Sequence, residues 1–466
     1  MAQTHYDVII IGAGMSGMAA GIRLAYFDKS VCVLERHYAA GGLNSFYALD
    51  GHQFDVGLHA MTNYVRPGTR GAPLTKIFRQ LRLTPEDFGL APQHHSEVRF
   101  PGKTLRFNND FRCFVQDVVD NFPAQADHFV RLVKHIQEYD ELDLEAPPRS
   151  GRAVVSSFLS DPLLTDMIFC PLMIYGNAQE RDMEFGQFVV MFKSIFCEGL
   201  GRPREGVRRI ITALRRKLRE VGGTVRMKCG VQALNAEGTR ITSVTLDTGE
   251  ILTANTILSS AGYVETMRLC GTDHATLAPM EGRLSFVEII SILDQPMKHL
   301  GHDATIIFYN TGKEFHYETP KNLVDARSGV ICCPDNFLFD KPLPESMIRL
   351  TCLANFDGWN ALDEPAYLRA KTEWLPKIQQ EVLHFIPDFR HHVVYTDFFT
   401  PRTIQKWTGH LNGAVYGAPE KLKTGKTPIE NLFICGTDQG FLGIVGAMLS
   451  GISMANLHVL KRAHAR

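Results

Sequence analysis

The sequence predicts an α/β fold that begins with a parallel sheet. Three observations carry this. Tyr6-Asp-Val-Ile-Ile-Ile11 is a short, continuous, β-branched run, the pattern of a strand buried on both faces. Gly12-Ala-Gly14-Met-Ser-Gly17 follows at once and leads into the helix formers of Met18–Tyr26. Ser30-Val-Cys-Val-Leu34 then reads as a second strand, ending at the acidic Glu35.

Each part of this β–α–β unit has a chemical reason. Gly12 permits the tight turn, Gly14 lets the backbone approach a pyrophosphate, and Gly17 lets helix and strand pack closely. The start of the helix, with Met15 and Ser16, offers free N–H groups and a partial positive charge to phosphates. Glu35 is placed to accept hydrogen bonds from a ribose, with Arg36 beside it. A second glycine pair, Gly41-Gly42, followed by Leu43 and Asn44, suits a loop running under an extended cofactor. A plain NAD domain would continue there as helix. No second GxGxxG occurs, so no separate nicotinamide domain is expected, and the cofactor expected is FAD.

Further along, Val207–Glu220 has helical spacing, with Ile210, Ile211, Leu214 and Leu218 on one face. Gly222–Lys228 reads as a strand, Val231 starts the next one, Ser243–Ile251 looks like a hairpin, and Thr256–Gly262 closes as a strand. Near the C-terminus Leu432–Cys435 reads as a short buried strand ended by Gly436. Asp438 then presents a carboxylate that can accept a ribityl hydroxyl or cap a helix. An apolar helix opens near Gly443 and takes in Val445; its N-terminus can stabilise negative charge on a reduced flavin.

Composition excludes several classes. The 466 residues are 45% hydrophobic and 21% charged, which rules out a disordered chain, a collagen and a coiled coil. Lys+Arg 49 against Asp+Glu 50 leaves a net charge of −1, so nucleic acid is not an expected partner. Ten scattered cysteines without a CxxC pair suit a reducing, cytoplasmic setting and give no metal motif. The pairs His94-His95 and His391-His392 read as surface residues. The N-terminus shows no leader pattern. The apolar stretches Val8–Ile22 and Phe441–Ala455 fall short of the ~20 residues that span a bilayer and read as buried elements. Arg202, Arg204, Arg208, Arg209, Arg215, Arg216, Lys217 and Arg219 form a basic run that suits either a solvated helix or peripheral contact with an anionic cytoplasmic membrane face.

Four segments give the chain a resemblance to the phytoene desaturase-like FAD oxidoreductases, the group of carotenoid desaturases, carotenoid isomerases and retinol saturases within the amine-oxidase-like flavoproteins. They are the dinucleotide unit through Gly42; Gly51-His-Gln-Phe54-Asp55-Val-Gly57-Leu-His59; Thr400-Pro401-Arg-Thr403 with Gly413–Gly417; and Asn431–Asp438 with Gly443–Gly451. Leu43 stands where many desaturases and amine oxidases have Arg, which points to the isomerase and saturase branches. Arg202–Gly206 lacks that group's usual Gly-Gly pair after Pro.

The resemblance implies a Rossmann-type FAD-binding domain, discontinuous over 1–65, 200–265 and 400–466, with a mixed α+β substrate domain from 66–199 and 266–399 inserted into it. It implies that Val231 contacts the adenine through its backbone, and that the 51–59 loop lies beneath the isoalloxazine. His59 is then the catalytic candidate, an imidazole able to move a proton near neutrality. The implied partner is an apolar isoprenoid or polyene substrate undergoing desaturation, saturation or flavin-assisted isomerisation. Phe185, Phe188, Phe192 and Phe196 are expected either to line its tunnel or to pack as core. Two alternatives stay open: a flavin amine oxidase-like enzyme on a small polar substrate, and a redox-silent lipid-binding subunit of the same fold. Oligomeric state is not legible.

Overall fold

The predicted first strand forms as His5–Ile11 and becomes the centre of a parallel sheet. A computed structural model describes residues 4–66, 68–141, 143 and 146–461. In it, His5–Ile11 pairs in parallel with Val31–Leu34 on one side and Ile251–Ser259 on the other. Thr224–Arg226 lies beyond Val31–Leu34, and Leu432–Ile434 beyond Ile251–Ser259. Sheet neighbours therefore come from three distant parts of the chain. The hairpin Val231–Glu237 and Arg240–Leu246 extends the sheet antiparallel to Ile251–Ser259.

The first helix, Met15–Ala25, begins three residues before the predicted Met18, because Met-Ser-Gly17 already winds as its first turn. Gly17 is required there: a Cβ would sit 2.0 Å from the Gly12 carbonyl oxygen. The Val207–Glu220 helix forms with Ile210, Ile211, Leu214 and Leu218 buried. The apolar C-terminal helix, Gly443–Ala455, runs on through a π-helical turn to Leu460, giving 18 residues long and apolar enough to cross a membrane. That exceeds the stretch expected from the sequence. Its apolarity is used internally, since 61% of it is buried and it crosses the first helix so closely that a Cβ on Gly451 would lie 2.0 Å from the Ser16 carbonyl.

The second domain is built on a seven-stranded sheet in the order 393–399, 285–293, 346–354, 324–332, 306–310, 96–100 and 103–107. Alternation divides its faces. Ile306 and Phe308 join Phe100, Phe107 and Leu353 against the helices of 111–197, while Ile307 and Tyr309 join Leu350 and Cys352 against the helix Glu364–Val382. The helical stretch over 151–176 is split in two, Gly151–Ser156 and Pro162–Gly176. Asp161 divides them by capping the N–H groups of Leu163 and Leu164 ahead of Pro162. The segments Pro73–Leu81 and Pro85–Phe88, expected in the inserted domain, bury Leu74, Ile77, Phe78, Leu81 and Phe88 in the dinucleotide-domain core. Phe185, Phe188, Phe192 and Phe196 line no tunnel: all are fully buried, and Phe196 stacks on Phe114 at 4.1 Å.

Candidate active site

Two cavities meet between the domains. The larger, about 560 Å³, has Gly12, Gly14, Glu35, Arg36, Gly42, Leu43 and Val231 in its walls. The smaller, about 220 Å³, has Gly14, Met15, Ser16, Gly41, Gly42, Leu43, Asn44, His59 and Gly443. Most residues singled out in the sequence are thus brought to one continuous site. A Cβ added at Gly14 would meet nothing within 4 Å, so the space above this turn is open to a ligand. The helices opening at Met15 and Gly443 carry no side-chain cap, leaving their first N–H groups to whatever fills the site. Glu35 accepts the backbone N–H groups of Ala13 and His37, each at 2.9 Å, which fixes its carboxylate at the wall.

Of the predicted cofactor residues, Gly17 serves only the packing described above, and three others also lie outside the cavity walls. Asp438 is buried behind the wall: Oδ2 accepts the Tyr263 N–H at 2.6 Å and Oδ1 the Ala418 N–H at 2.8 Å. The 3₁₀ turn Thr437–Gln439 turns it inward, and its neighbour Thr437 lines the smaller cavity instead. Gly436 gives its N–H to Ser450 Oγ at 2.8 Å, and Val445 packs in the core. The basic helix does not offer an apolar face to a membrane. That face is core, and four of its cations are engaged: Arg209 with Glu205 at 3.1 Å, Lys217 with Glu220 at 2.9 Å, Arg208 with the Tyr47 carbonyl at 2.9 Å, Arg216 with Asp87. The fold also brings Asp303 to the exposed His94 and partly exposed His95, where one donor atom from each falls within 4.8 Å of the others. The sequence shows no metal-ligand spacing at that pair.

The floor of the smaller cavity is a buried polar array that sequence reasoning found only in part. Glu288 and Thr351 are register partners on adjacent strands. His59 Nε2 lies 3.2 Å from Glu288 Oε1 and 3.0 Å from Thr351 Oγ1. Arg349 donates from Nε to Glu288 at 2.5 Å, and to the Leu58 and Val56 carbonyls at 2.8 Å. Arg202 joins Asp55 at 2.5 Å and the His59 carbonyl at 3.0 Å. Two buried guanidiniums therefore pin the 55–59 loop.

Burial pushes the Glu288 carboxyl up, but Arg349 and His59 outweigh it and hold Glu288 ionised. Burial pushes His59 down from its ordinary value; Glu288 opposes this, and Arg349 and Arg202 reinforce it. His59 therefore favours its neutral form at pH 7. Glu288, ionised, can only accept, so the network assigns the proton to Nε2 and leaves Nδ1 with a lone pair. Tyr175 stacks on His59 at 5.9 Å, and its buried hydroxyl has no hydrogen-bond partner. Burial pushes that phenol far above its usual range, keeping it a donor. A lone carboxylate in the apolar run Ser285–Leu293, and a lone guanidinium in Ser346–Ala354, were the signals that could have found Glu288 and Arg349.

The fold is of the Rossmann-like α/β class, and residues 10–81 match the family described as NAD(P)-binding Rossmann-like domain. The resemblance to the phytoene desaturase-like flavoproteins holds along the chain. It is 21% identical to the chloroplastic prolycopene isomerase of Arabidopsis thaliana, over 97% of this chain and 82% of that protein. It is 22% identical to the all-trans-retinol 13,14-reductase of Danio rerio (98% and 86% covered) and 22% identical to the 4,4'-diaponeurosporene oxygenase of Staphylococcus aureus (96% and 97%). Among solved structures, an oxidoreductase from Methanosarcina mazei superposes with a TM-score of 0.67 at 17% identity, covering 96% of this chain and 99% of that one. Putrescine oxidase bound to putrescine gives 0.64 at 15%, with both chains fully covered.

Proposed function

We propose that the protein is an FAD-dependent oxidoreductase acting on the carbon–carbon bonds of an apolar isoprenoid or polyene substrate. The observation that carries this is the joined cavity, with a dinucleotide turn at one end and an apolar chamber with a neutral imidazole at the other. The residues present fit FAD. Gly14 leaves room for the diphosphate, Glu35 stands at the wall for a ribose, Val231 flanks the adenine end, and the Gly443 helix opens on the chamber. When bound, the flavin would supply hydride exchange at a substrate carbon. The chain's own part is to orient, exclude water and hold protons: Nδ1 of His59 can accept one and the Tyr175 hydroxyl can give one.

The chamber walls favour an apolar substrate over a small amine. They are Ile174, Phe286, Phe399, Val415, Tyr416 and Leu442 beside His59, and the wall carboxylate Glu288 is already neutralised by Arg349. The same proposal includes membrane contact, relocated from the basic helix to the mouth of the larger cavity. There Tyr38, Leu49 and Trp407 are exposed, 56%, 41% and 48%, with Lys371 in the wall and Lys406 over Trp407. Ten free thiols support a reducing, cytoplasmic setting. The test is cofactor release by heat denaturation, read beside mass spectrometry of co-purifying lipids. FAD together with a long polyene or isoprenoid is expected; NAD without flavin would overturn the reading.

A further inference from the structure

His410 stands where the two cavities meet. Their walls share Gly14, Gly42, Leu43 and Ser260 among others, and of all the shared residues only His410 has a titratable side chain. It follows the helix Pro401–Thr408 and the left-handed turn at Gly409. Its Nδ1 lies 3.5 Å from Glu265 Oε1, the oxygen that also accepts the Leu411 N–H at 2.9 Å. Glu265 is carried by the helix Tyr263–Leu269, just after Ser260, so ring and carboxylate are fixed from two sides.

The charged groups bearing on the ring are Glu265, Asp438 behind the wall, and Arg36. Burial alone would push His410 down; Glu265 and Asp438 overcome that and Arg36 subtracts a little, so the net direction is up. Burial likewise raises Glu265, but His410 and the Leu411 N–H hold it below its usual range. Among the described residues common to both walls, His410 alone can carry positive charge, with the permanent cation Arg36 beside Gly409 in the larger cavity's wall; it shares the junction with Gly14, whose Cβ direction is empty.

We propose that His410, oriented by Glu265, is a diphosphate-binding residue of the dinucleotide site, and that a proton is taken up at its ring when the cofactor binds. This rests on the FAD reading above. The helix N-terminus contributes only about half a unit of positive charge toward a doubly charged diphosphate. A cation at the junction supplies more, and only while protonated. Because the diphosphate of FAD stays fully ionised from mildly acidic to alkaline pH, the pH dependence of binding belongs to the protein. Affinity is greatest below the titration of His410 and falls as pH rises through it, by up to about tenfold per pH unit for one coupled proton.

The test uses the full-length protein stripped of flavin. Affinities for FAD, ADP-ribose and riboflavin are measured from pH 6 to 9, and proton uptake is taken from calorimetry in two buffers of different ionisation heat. In the wild type, FAD and ADP-ribose, whose diphosphates are doubly esterified, should weaken about tenfold or more toward high pH, with up to one proton taken up, while riboflavin stays flat. His410→Gln should weaken FAD and ADP-ribose about tenfold at pH 6 and flatten both profiles. Glu265→Gln should move the fall in affinity to lower pH. An unchanged FAD affinity and pH slope in His410→Gln overturns the proposal. So does an equal loss for riboflavin, which would make His410 a wall-shaping residue. A wild type that binds ADP-ribose with the expected slope but binds no flavin removes the FAD reading and leaves the role of His410 intact.

Discussion

Glu35 illustrates how much one side chain can hold. Its two oxygens already accept the N–H groups of Ala13 and His37, so it organises the glycine turn as well as facing the nucleotide. Glu35→Ala should weaken FAD binding about tenfold to hundredfold, the equivalent of roughly 1.5–3 kcal/mol for a charge-assisted hydrogen bond. Fluorescence titration of the flavin-free protein measures this, and an unchanged Kd would confine Glu35 to the turn. His59 makes a different prediction. Since its proton sits on Nε2 and burial keeps the ring neutral, His59→Gln should slow flavin reduction by ~10²-fold or more at near-normal FAD content. The wild-type rate should show no inflection from His59 between pH 6.5 and 8. Full turnover in the variant would make His59 scaffold.

The same residue-scale physics sets acid stability. His59 and His302 are both pushed down by burial, His302 to about 4. A histidine with a folded pKa below its unfolded value of ~6.5 binds fewer protons when folded. The contribution of these two histidines is therefore full above pH 6.5 and falls as pH drops toward 4, where the unfolded chain takes up protons the folded one refuses. The melting temperature should decline across that window, and His302→Asn should reduce the decline.

Among the elements, the C-terminal strand–turn–helix shows what is local and what is not. The strand Leu432–Ile434, the glycine stop and the helix from Gly443 were legible, because apolar runs and glycines act over a few residues. That Asp438 faces inward was not, because its partners Tyr263 and Ala418 belong to other segments. Asp438→Ala should leave two buried N–H groups unpaired, at roughly 1–3 kcal/mol each. Thermal denaturation should show a clear loss of stability, while the fraction that retains FAD keeps an unchanged reduction potential. A shifted potential with unchanged stability would return Asp438 to the flavin. The Phe185–Phe196 run makes the complementary point. Apolar periodicity identifies a face that will be buried, and says nothing of whether a ligand or Phe114 and Phe107 will bury it.

For the whole molecule, the position of the cavity mouth is the main consequence of the fold. The Tyr38–Trp407 pair, with ring centroids 6.4 Å apart, comes from segments on different domain pieces, and the two side chains are exposed together with Leu49. Tyr38→Ala with Trp407→Ala should cut flotation with anionic liposomes several-fold and leave FAD content unaltered. The basic-helix variant Arg215→Ala with Arg219→Ala should change it little. The reverse pattern would return the membrane contact to that helix.

What the sequence alone determined is what the one stretch Tyr6–Gly42 can encode: the β–α–β unit, its glycines, Glu35 and the Gly41-Gly42 loop. There local backbone geometry, apolar period and spacing act together, and short-range rules are enough. The Val207–Glu220 helix was legible for the same reason. Tertiary structure decided the rest of the site. His59 meets Glu288 across 229 positions of sequence, and Glu265 meets His410 across 145. Which carboxylate faces which imidazole follows from sheet register and from how two interleaved domains close on each other. Burial then set the charge states: removing water kept His59 neutral, while a fixed carboxylate raised His410. Both outcomes depend on neighbours that only the folded chain brings within a few ångströms.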